Sequence, residues 1–119
     1  LCMGGTPAAS NDNTEEYDGS SWANGGDLGD GRSHLAACGT QTAGLCMGGA
    51  GSSVVTEEYN GTAWSSGGNL ATARSRLAGC GTLSAGLCMG GHVSGVVNVT
   101  EEYTGGGSFD ELITVSQGL

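Results

Sequence analysis

The sequence contains no lysine, only three arginines, one proline and one phenylalanine among its 119 residues. Because twelve acidic residues give a formal charge of −9, a nucleic acid or another polyanion would be repelled. The same charge excludes a basic helix at a membrane surface, and no apolar run approaches the roughly 18 residues that a bilayer span needs. We therefore expect neither a nucleic-acid partner nor a membrane partner.

Large apolar side chains are also scarce, since leucine, isoleucine, valine and phenylalanine together account for 19 residues. With this net charge, such a composition is typical of a disordered chain. However, the chain has 25 glycines, together with many alanines and five cysteines. A core built from such small residues requires that backbones approach one another closely.

The chain is an internal repeat. Two words recur three times with a spacing of 42 or 44 residues: LCMGG begins at positions 1, 45 and 87, and TEEY at positions 14, 56 and 100. Trp22 recurs as Trp64. The length variation lies between the two words, which indicates one loop that tolerates insertions. We interpret residues 1–119 as a single repeat region with units of about 1–34, 35–76 and 77–119.

Each unit is predicted to form four short strands, which in the second unit lie at 35–40, 43–48, 56–59 and around Trp64. Asp18-Gly19 and Asn60-Gly61 predict tight turns, and the many glycines argue against helices. The first unit lacks its first strand, and the last unit ends in a divergent strand at 111–116. The expected fold is all-β, with four-stranded antiparallel blades of a β-propeller.

A little under three blades cannot close a propeller. We therefore expect either a homo-oligomer, in which a trimer would complete the ring, or a longer parent chain. A stack of sheets that continues as a fibre is a third possibility. In an oligomer, the segment 111–116 of one copy could supply the strand that the first unit of its neighbour lacks.

The repeat resembles the kelch repeat. The resemblance is carried by Ala73-Arg74, Leu77, Gly81-Thr82, the double glycines, Glu101-Glu102-Tyr103 and Trp64. It implies a β-propeller of four-stranded blades. The wording TEEYxGxxW and LATARSxLAGCGT looks most like the kelch-type arrays of bacteriophage tail-fibre and other virion proteins, which implies a virion or extracellular location. The last unit departs from the pattern because Phe109 stands where a tryptophan is expected.

The Glu-Glu pairs at 15–16, 57–58 and 101–102 are interpreted as structural. Neighbouring strand residues point to opposite faces, so each pair is split in a way that does not suit glycoside hydrolysis. One member of each pair is expected to meet Arg32 or Arg74 between sheets. The tyrosines and tryptophans of the repeat are expected to pack between neighbouring blades. The residues predicted to have structural roles are Gly4, Gly5, Tyr17, Trp22, Arg32, Gly48, Gly49, Tyr59, Trp64, Arg74, Gly90, Gly91 and Tyr103.

The five cysteines match no zinc spacing, and they are either buried thiols or, for Cys38 with Cys46 and Cys80 with Cys88, cross-strand disulfides. Asp27, Asp30 and the segment 11–13 could offer oxygen ligands to calcium, but no calcium loop can be traced. No catalytic constellation is recognisable, and the ligand set of a copper oxidase on a kelch propeller is not traceable. We expect no enzyme activity, metal or cofactor.

Successive loops of an antiparallel meander alternate between its two ends, so the variable loop and the connection to the next unit share one end. This polar face is the predicted ligand site, with a cell-surface glycan or a protein as its partner. The expected function is therefore a non-enzymatic adhesion module such as part of a phage tail fibre. The alternative is a self-assembling filament without a ligand. The candidate ligand residues are Asn11, Asp12, Asn13, Asp27, Asp30, Ser52, Ser53, Asn69, Thr72, His92 and Ser94.

Overall fold

A computed structural model describes residues 1–5, 11–50, 53–104 and 109–111. Across these residues it contains eleven short strands in three antiparallel sheets and no helix. The prediction of an all-β fold is therefore confirmed. The described part of the chain also holds no helix with the length and hydropathy of a membrane span.

Each sheet is a meander in which strands that follow one another in the chain are paired. The first sheet contains three strands and the others four, and the predicted strands of the second unit agree with the structure to within one residue at their ends. The bounds are β1 (Cys2–Met3), β2 (Thr14–Tyr17) and β3 (Trp22–Asn24) in the first sheet, β4 (Ala36–Thr40), β5 (Ala43–Met47), β6 (Thr56–Tyr59) and β7 (Trp64–Ser66) in the second, and β8 (Ala78–Thr82), β9 (Ala85–Met89), β10 (Thr100–Tyr103) and β11 (Phe109–Glu111) in the third.

The last strand begins earlier than expected. β11 pairs with β10 as the fourth strand of the third sheet, so that Phe109 lies opposite Tyr103 as Trp64 lies opposite Tyr59. The divergent strand predicted at 111–116 shares only Glu111 with β11, and its remaining residues lie outside the described ones. The repeat register therefore continues into β11 although phenylalanine replaces tryptophan.

A two-residue turn between β4 and β5 fixes the positions of the cysteines. Cys38 lies opposite Leu45, and Cys46 lies opposite Ala37. Because cross-strand partners share a face of the sheet and neighbours along a strand alternate, Cys38 and Cys46 point to opposite faces. The same register separates Cys80 from Cys88. All five cysteines are free, so the disulfide alternative is wrong in this structure.

The second and third sheets pack face to face. A buried cluster that includes Leu45, Met47, Leu77 and Tyr103 forms the apolar contact between them. Glycine permits the close approach: a Cβ at Gly79 would lie 2.8 Å from the Met47 side chain. We call this contact the second joint, and the corresponding contact between the first and second sheets the first joint. Each joint also includes the connection between its two sheets.

Candidate functional site

Each joint contains a buried arginine whose guanidinium is held by the following sheet. In the first joint, Arg32 Nη2 lies 2.9 Å from Glu57 Oε2 and 3.1 Å from Cys46 Sγ. Its Nη1 donates to the carbonyl oxygens of Gly48, at 3.1 Å, and Val55, at 2.6 Å. Arg32 and Glu57 are both buried, so the charges neutralise each other away from water.

The second joint repeats this geometry atom for atom. Arg74 Nη2 lies 2.6 Å from Glu101 Oε2 and 3.2 Å from Cys88 Sγ. Its Nη1 donates to the carbonyl oxygens of Gly90, at 2.9 Å, and Val99, at 2.5 Å. The predicted ion pairs are thus confirmed for the second and third Glu-Glu pairs, in which the first glutamate is the one used. The prediction is wrong for Glu15 and Glu16, neither of which pairs with an arginine of the described residues.

Backbone amides complete the shell of each buried carboxylate. Gly29 N donates to Glu57 Oε1 at 2.6 Å, and Ala71 N donates to Glu101 Oε1 at 2.6 Å. Both donors lie in the connection that carries the arginine. The connection therefore meets the next sheet through a guanidinium and an amide on the same carboxylate, an arrangement that we call the arginine clamp.

Two thiols that were not predicted as functional residues also belong to the clamp. Cys46 and Cys88 accept from the arginines fourteen residues before them. Burial raises the pKa of both thiols to about 11, which keeps them protonated and unreactive at neutral pH. The equal Arg-to-Cys spacing in the two units was the available signal, and it becomes meaningful only when the connection is known to fold back over the sheet.

Aromatic side chains add polar contacts to the first joint. The Tyr59 hydroxyl donates to Glu16 Oε1 at 2.5 Å and accepts from Gly26 N at 3.3 Å. Trp64 Nε1 donates to Thr14 Oγ1 at 2.9 Å. Burial, followed by the hydrogen bond to Glu16, raises the pKa of Tyr59, so the hydroxyl stays protonated and can donate. The last two strands of the second sheet, β6 and β7, therefore hold the first sheet through polar contacts as well.

The counterparts of these aromatics in the first sheet are exposed. Tyr17 and Trp22 are 44 % and 56 % exposed, and their rings pack on each other with centroids 5.1 Å apart. Tyr59 is only 1 % exposed. The prediction that Tyr17 and Trp22 pack between sheets is therefore wrong in this chain, because no described sheet lies against that face.

The double glycines adopt conformations that other residues rarely accept. In each pair both φ angles are positive, and a Cβ at Gly48 would lie 2.6 Å from the Arg74 carbonyl oxygen. A Cβ at Gly4 would meet the Arg32 carbonyl oxygen in the same way. The glycines thus allow the arginine-bearing connection to lie against the strand end. The residues concerned are Gly4, Gly5, Gly48, Gly49, Gly90 and Gly91.

In the first two units the structure brings the variable loop and the connection together at one end of the sheet. Leu28 N donates to the Asp12 carbonyl at 2.7 Å, and Arg74 N donates to the Ser53 carbonyl at 3.2 Å. We call this surface the loop face. Its exposed candidates are Asp12, Asn13, Asp27, Asp30, Asn69 and Ser94; Asn11, Ser53, Thr72 and His92 are half-buried, and Ser52 lies outside the described residues.

Two features of the loop face were not predicted. Val96, in the loop of the third unit, is 91 % exposed and places an apolar side chain among polar ones. Thr72 contributes its backbone amide to Glu101, at 3.4 Å, so this residue belongs to the second joint as well as to the loop face. The described residues contain no group of three or more His, Cys, Asp or Glu placed to hold a metal ion.

A polar cleft of about 480 Å³ lies at the end of the first sheet. Its lining includes Cys2, Gly4, Asn13, Glu15 and Asp27.

No family model matches the chain, and no curated protein matches it.

Proposed function

We propose that the chain is a non-enzymatic structural and adhesion module. In this proposal its sheets are kelch-like blades of a propeller-type array, and the array is part of a phage tail fibre or a similar virion or extracellular appendage. The observation that carries the proposal is the arginine clamp, which is built identically in both joints. A device that recurs at every contact between units suits assembly of the array.

Three of the six glutamates in the Glu-Glu pairs have structural roles. Glu57 and Glu101 are each neutralised by an arginine and bound by a backbone amide, while Glu16 accepts from Tyr59. Carboxylates committed in this way hold sheets together. This supports a scaffold in preference to a hydrolase.

The proposed ligand site is the loop face, and its proposed ligand is a cell-surface glycan or protein. Its variable loops differ in length and sequence from unit to unit, whereas the joints are repeated. Exposed amide, hydroxyl and carboxylate groups offer hydrogen bonds to sugar hydroxyls, and Val96 offers an apolar contact. The net charge of −9 disfavours anionic ligands.

A glycan array and a cell-binding assay with the intact chain test this function. We expect binding that is weakened by Asn69→Ala and by Val96→Ser, which alter the loop face. Thr62→Ala is the matched control, because Thr62 is exposed in the turn between β6 and β7 at the other end of the second sheet. Binding that responds equally to all three substitutions, or no binding at all, would contradict the adhesion proposal.

The exposed Tyr17 and Trp22 favour one alternative, a self-assembling filament whose units bind only one another. Both residues present apolar surface at one end of the stack of sheets. Electron microscopy of the pure chain separates the two functions, since a filament protein forms long polymers and gives no signal on the glycan array.

A further inference from the structure

The first sheet repeats the acceptor groups of the arginine clamp, and no arginine of the described residues pairs with its glutamate. The clamp acceptors in the second sheet are the Cys46 thiol, the Glu57 carboxylate and two carbonyl oxygens. By the repeat, their counterparts in the first sheet are Cys2, Glu15 and the carbonyls of Gly4 and Asn13. The cleft at the end of the first sheet is lined by all four of these residues.

The backbone of this empty clamp is already formed. Cys2 pairs with Glu15 in the register in which Cys46 pairs with Glu57. Gly4 N donates to the Asn13 carbonyl at 3.0 Å, and Gly48 N donates to the Val55 carbonyl at 2.9 Å. The acceptors are therefore positioned before any arginine arrives, and the site requires no rearrangement of the strands.

Exposure distinguishes the empty clamp from the filled ones. Cys2 and Glu15 are exposed, whereas the corresponding thiols and carboxylates of the other two sheets are buried. Tyr17 and Trp22 lie on the same sheet and are also uncovered. We call the surface formed by Cys2, Gly4, Asn13, Glu15, Tyr17 and Trp22 the acceptor face.

We propose that the acceptor face binds another repeat unit of the same kind, whose connection inserts an arginine between the Cys2 thiol and the Glu15 carboxylate. This inference rests on the proposed assembly of units into an array and names the partner chemistry of one end. The acidic cleft attracts a guanidinium, and the four acceptors match those that hold Arg32 and Arg74. The edge of β1 is also open for the first strand that such a unit would bring.

A second copy of this chain does not fit the site equally well. Arg32 and Arg74 are engaged in their own joints, each paired with a buried glutamate. Arg76 lies in the second connection, where its amide donates to the His34 carbonyl at 2.8 Å. A second copy would therefore have to release Arg32 or Arg74 from its own joint to bring a clamp arginine to Glu15.

The test extends the chain with its own residues 35–86, joined directly before Leu1. Leu1 then takes the place of Leu87, and the arginine copied from position 74 reaches the empty clamp. Thiol alkylation is followed by mass spectrometry on the peptide that joins Cys2 to the unique sequence after Gly5. We expect alkylation of Cys2 to be at least about tenfold slower in the extended chain, because burial and local protection limit thiol access.

Substitutions of the clamp residues test whether the clamp causes the protection of Cys2 in the extended chain. Glu15→Gln is expected to leave the melting temperature of the 119-residue chain unchanged and to lower that of the extended chain. Arg→Met at the copied position is expected to lower it by a similar amount, and the double substitution by less than the sum, since the two groups interact. Independent, additive effects would overturn the proposal.

Cys88 serves as the internal control for folding, because its own clamp is unchanged. Rapid alkylation of Cys2 while Cys88 stays protected would overturn the proposal. If Cys88 also loses protection, the shorter extension with residues 67–86 carries the same arginine and first strand and is judged by the same criteria. Light scattering that shows an oligomer of the unextended chain with Cys2 protected would instead make a second copy the occupant, against the proposal.

These results are separable from those for the adhesion function. If the chain binds a glycan but Glu15→Gln does not change the melting temperature of the extended chain, the adhesion function is supported and the proposed repeat-unit partner is contradicted. If the copied arginine and Glu15 are coupled in the extended chain but no glycan or cell binding is found, the repeat-unit partner is supported and the adhesion function is contradicted.

Discussion

The first and second sheets share their strand pairing and nearly all their clamp residues, yet the same side chains have opposite environments in the two. Glu57 is buried against Arg32, whereas Glu15, at the same register position, is exposed. Tyr59 is buried and Tyr17 is not. The pairing of strands within a sheet is thus independent of a neighbour, while the burial of charge depends on one. The contacts of a joint therefore contribute to stability only where two units lie next to each other.

The largest expected effect is that of Arg74→Met in the second joint. It leaves the fully buried Glu101 carboxylate without its counter-charge, which typically costs about 3–5 kcal/mol. Arg32→Met should act in the same direction on the first joint. The measurement is chemical unfolding of the full chain.

Arg76→Met is the matched control for these substitutions. Arg76 is exposed and lies two residues after Arg74, so its loss should change the unfolding free energy by no more than about 0.5 kcal/mol. Equal stability of the Arg74→Met and Arg76→Met variants would show that the clamp does not hold the sheets together.

Glycine substitutions compare a covered strand end with an open one. Gly48 and Gly90 have nearly the same φ, +66° and +67°, so alanine at either carries a similar backbone cost of about 1–2 kcal/mol. At Gly48 the new Cβ would also lie 2.6 Å from the Arg74 carbonyl oxygen, whereas at Gly90 the nearest atom of the described residues, the Val97 carbonyl oxygen, is 3.8 Å away. Gly48→Ala should therefore be the more destabilising by about 1–3 kcal/mol, the usual range for overpacking.

Thermal unfolding of the two alanine variants measures this difference. Gly90→Ala supplies the control, because it includes the φ cost without the clash. Melting temperatures lowered equally by both substitutions would mean that the connection moves away freely and that the double glycine serves backbone conformation alone.

The repeated words of the sequence were sufficient to predict the strands and the two ion pairs. Identical words at a constant spacing predict identical strands, and a buried glutamate in a chain with three arginines has few possible partners. The choice of Glu57 over Glu58 required the pairing of Cys46 with Glu57, which sets the face of the sheet on which the carboxylate lies. That register is set across the variable loop between β5 and β6, whose length differs from unit to unit, so the repeated words alone did not fix it.

The exposure of Tyr17 and Trp22 could not be predicted from the repeat. Their sequence environment matches that of Tyr59 and Trp64, so a pattern assigns both pairs the same role. The burial of these side chains depends on whether a neighbouring unit covers them, and it differs between the two sheets although their sequence motifs are the same. The sequence therefore predicted which side chains are repeated in each unit, but it did not predict which of them are covered by a neighbouring sheet.

A smaller effect is expected from Tyr59→Phe, which compares the two aromatic pairs. The substitution removes the hydrogen bond to Glu16 and leaves Gly26 N without its acceptor, a loss of about 1–3 kcal/mol for a bond to a charged group. Tyr17→Phe alters an exposed ring and should be neutral. The free energies of unfolding of the two variants test this difference. Equal values would show that the Tyr59 hydroxyl does not stabilise the first joint.

The smallest effect concerns the turns that follow β2 and β6. The Asp18 carboxylate accepts from the amides of Ser21 and Ser20, both at 2.8 Å, and these bonds lower its pKa from 3.8 to about 2. Because the folded state holds the carboxylate ionised, this contribution to stability is complete above about pH 4 and is lost as the pH falls towards 2. Asn60 makes the same two amide contacts in the second unit without a charge, so Asp18→Asn should preserve stability at neutral pH and remove this part of the acid dependence. Melting temperatures of both proteins across that acid range test the prediction, and an unchanged acid dependence in the variant would show that the turn contributes nothing to it.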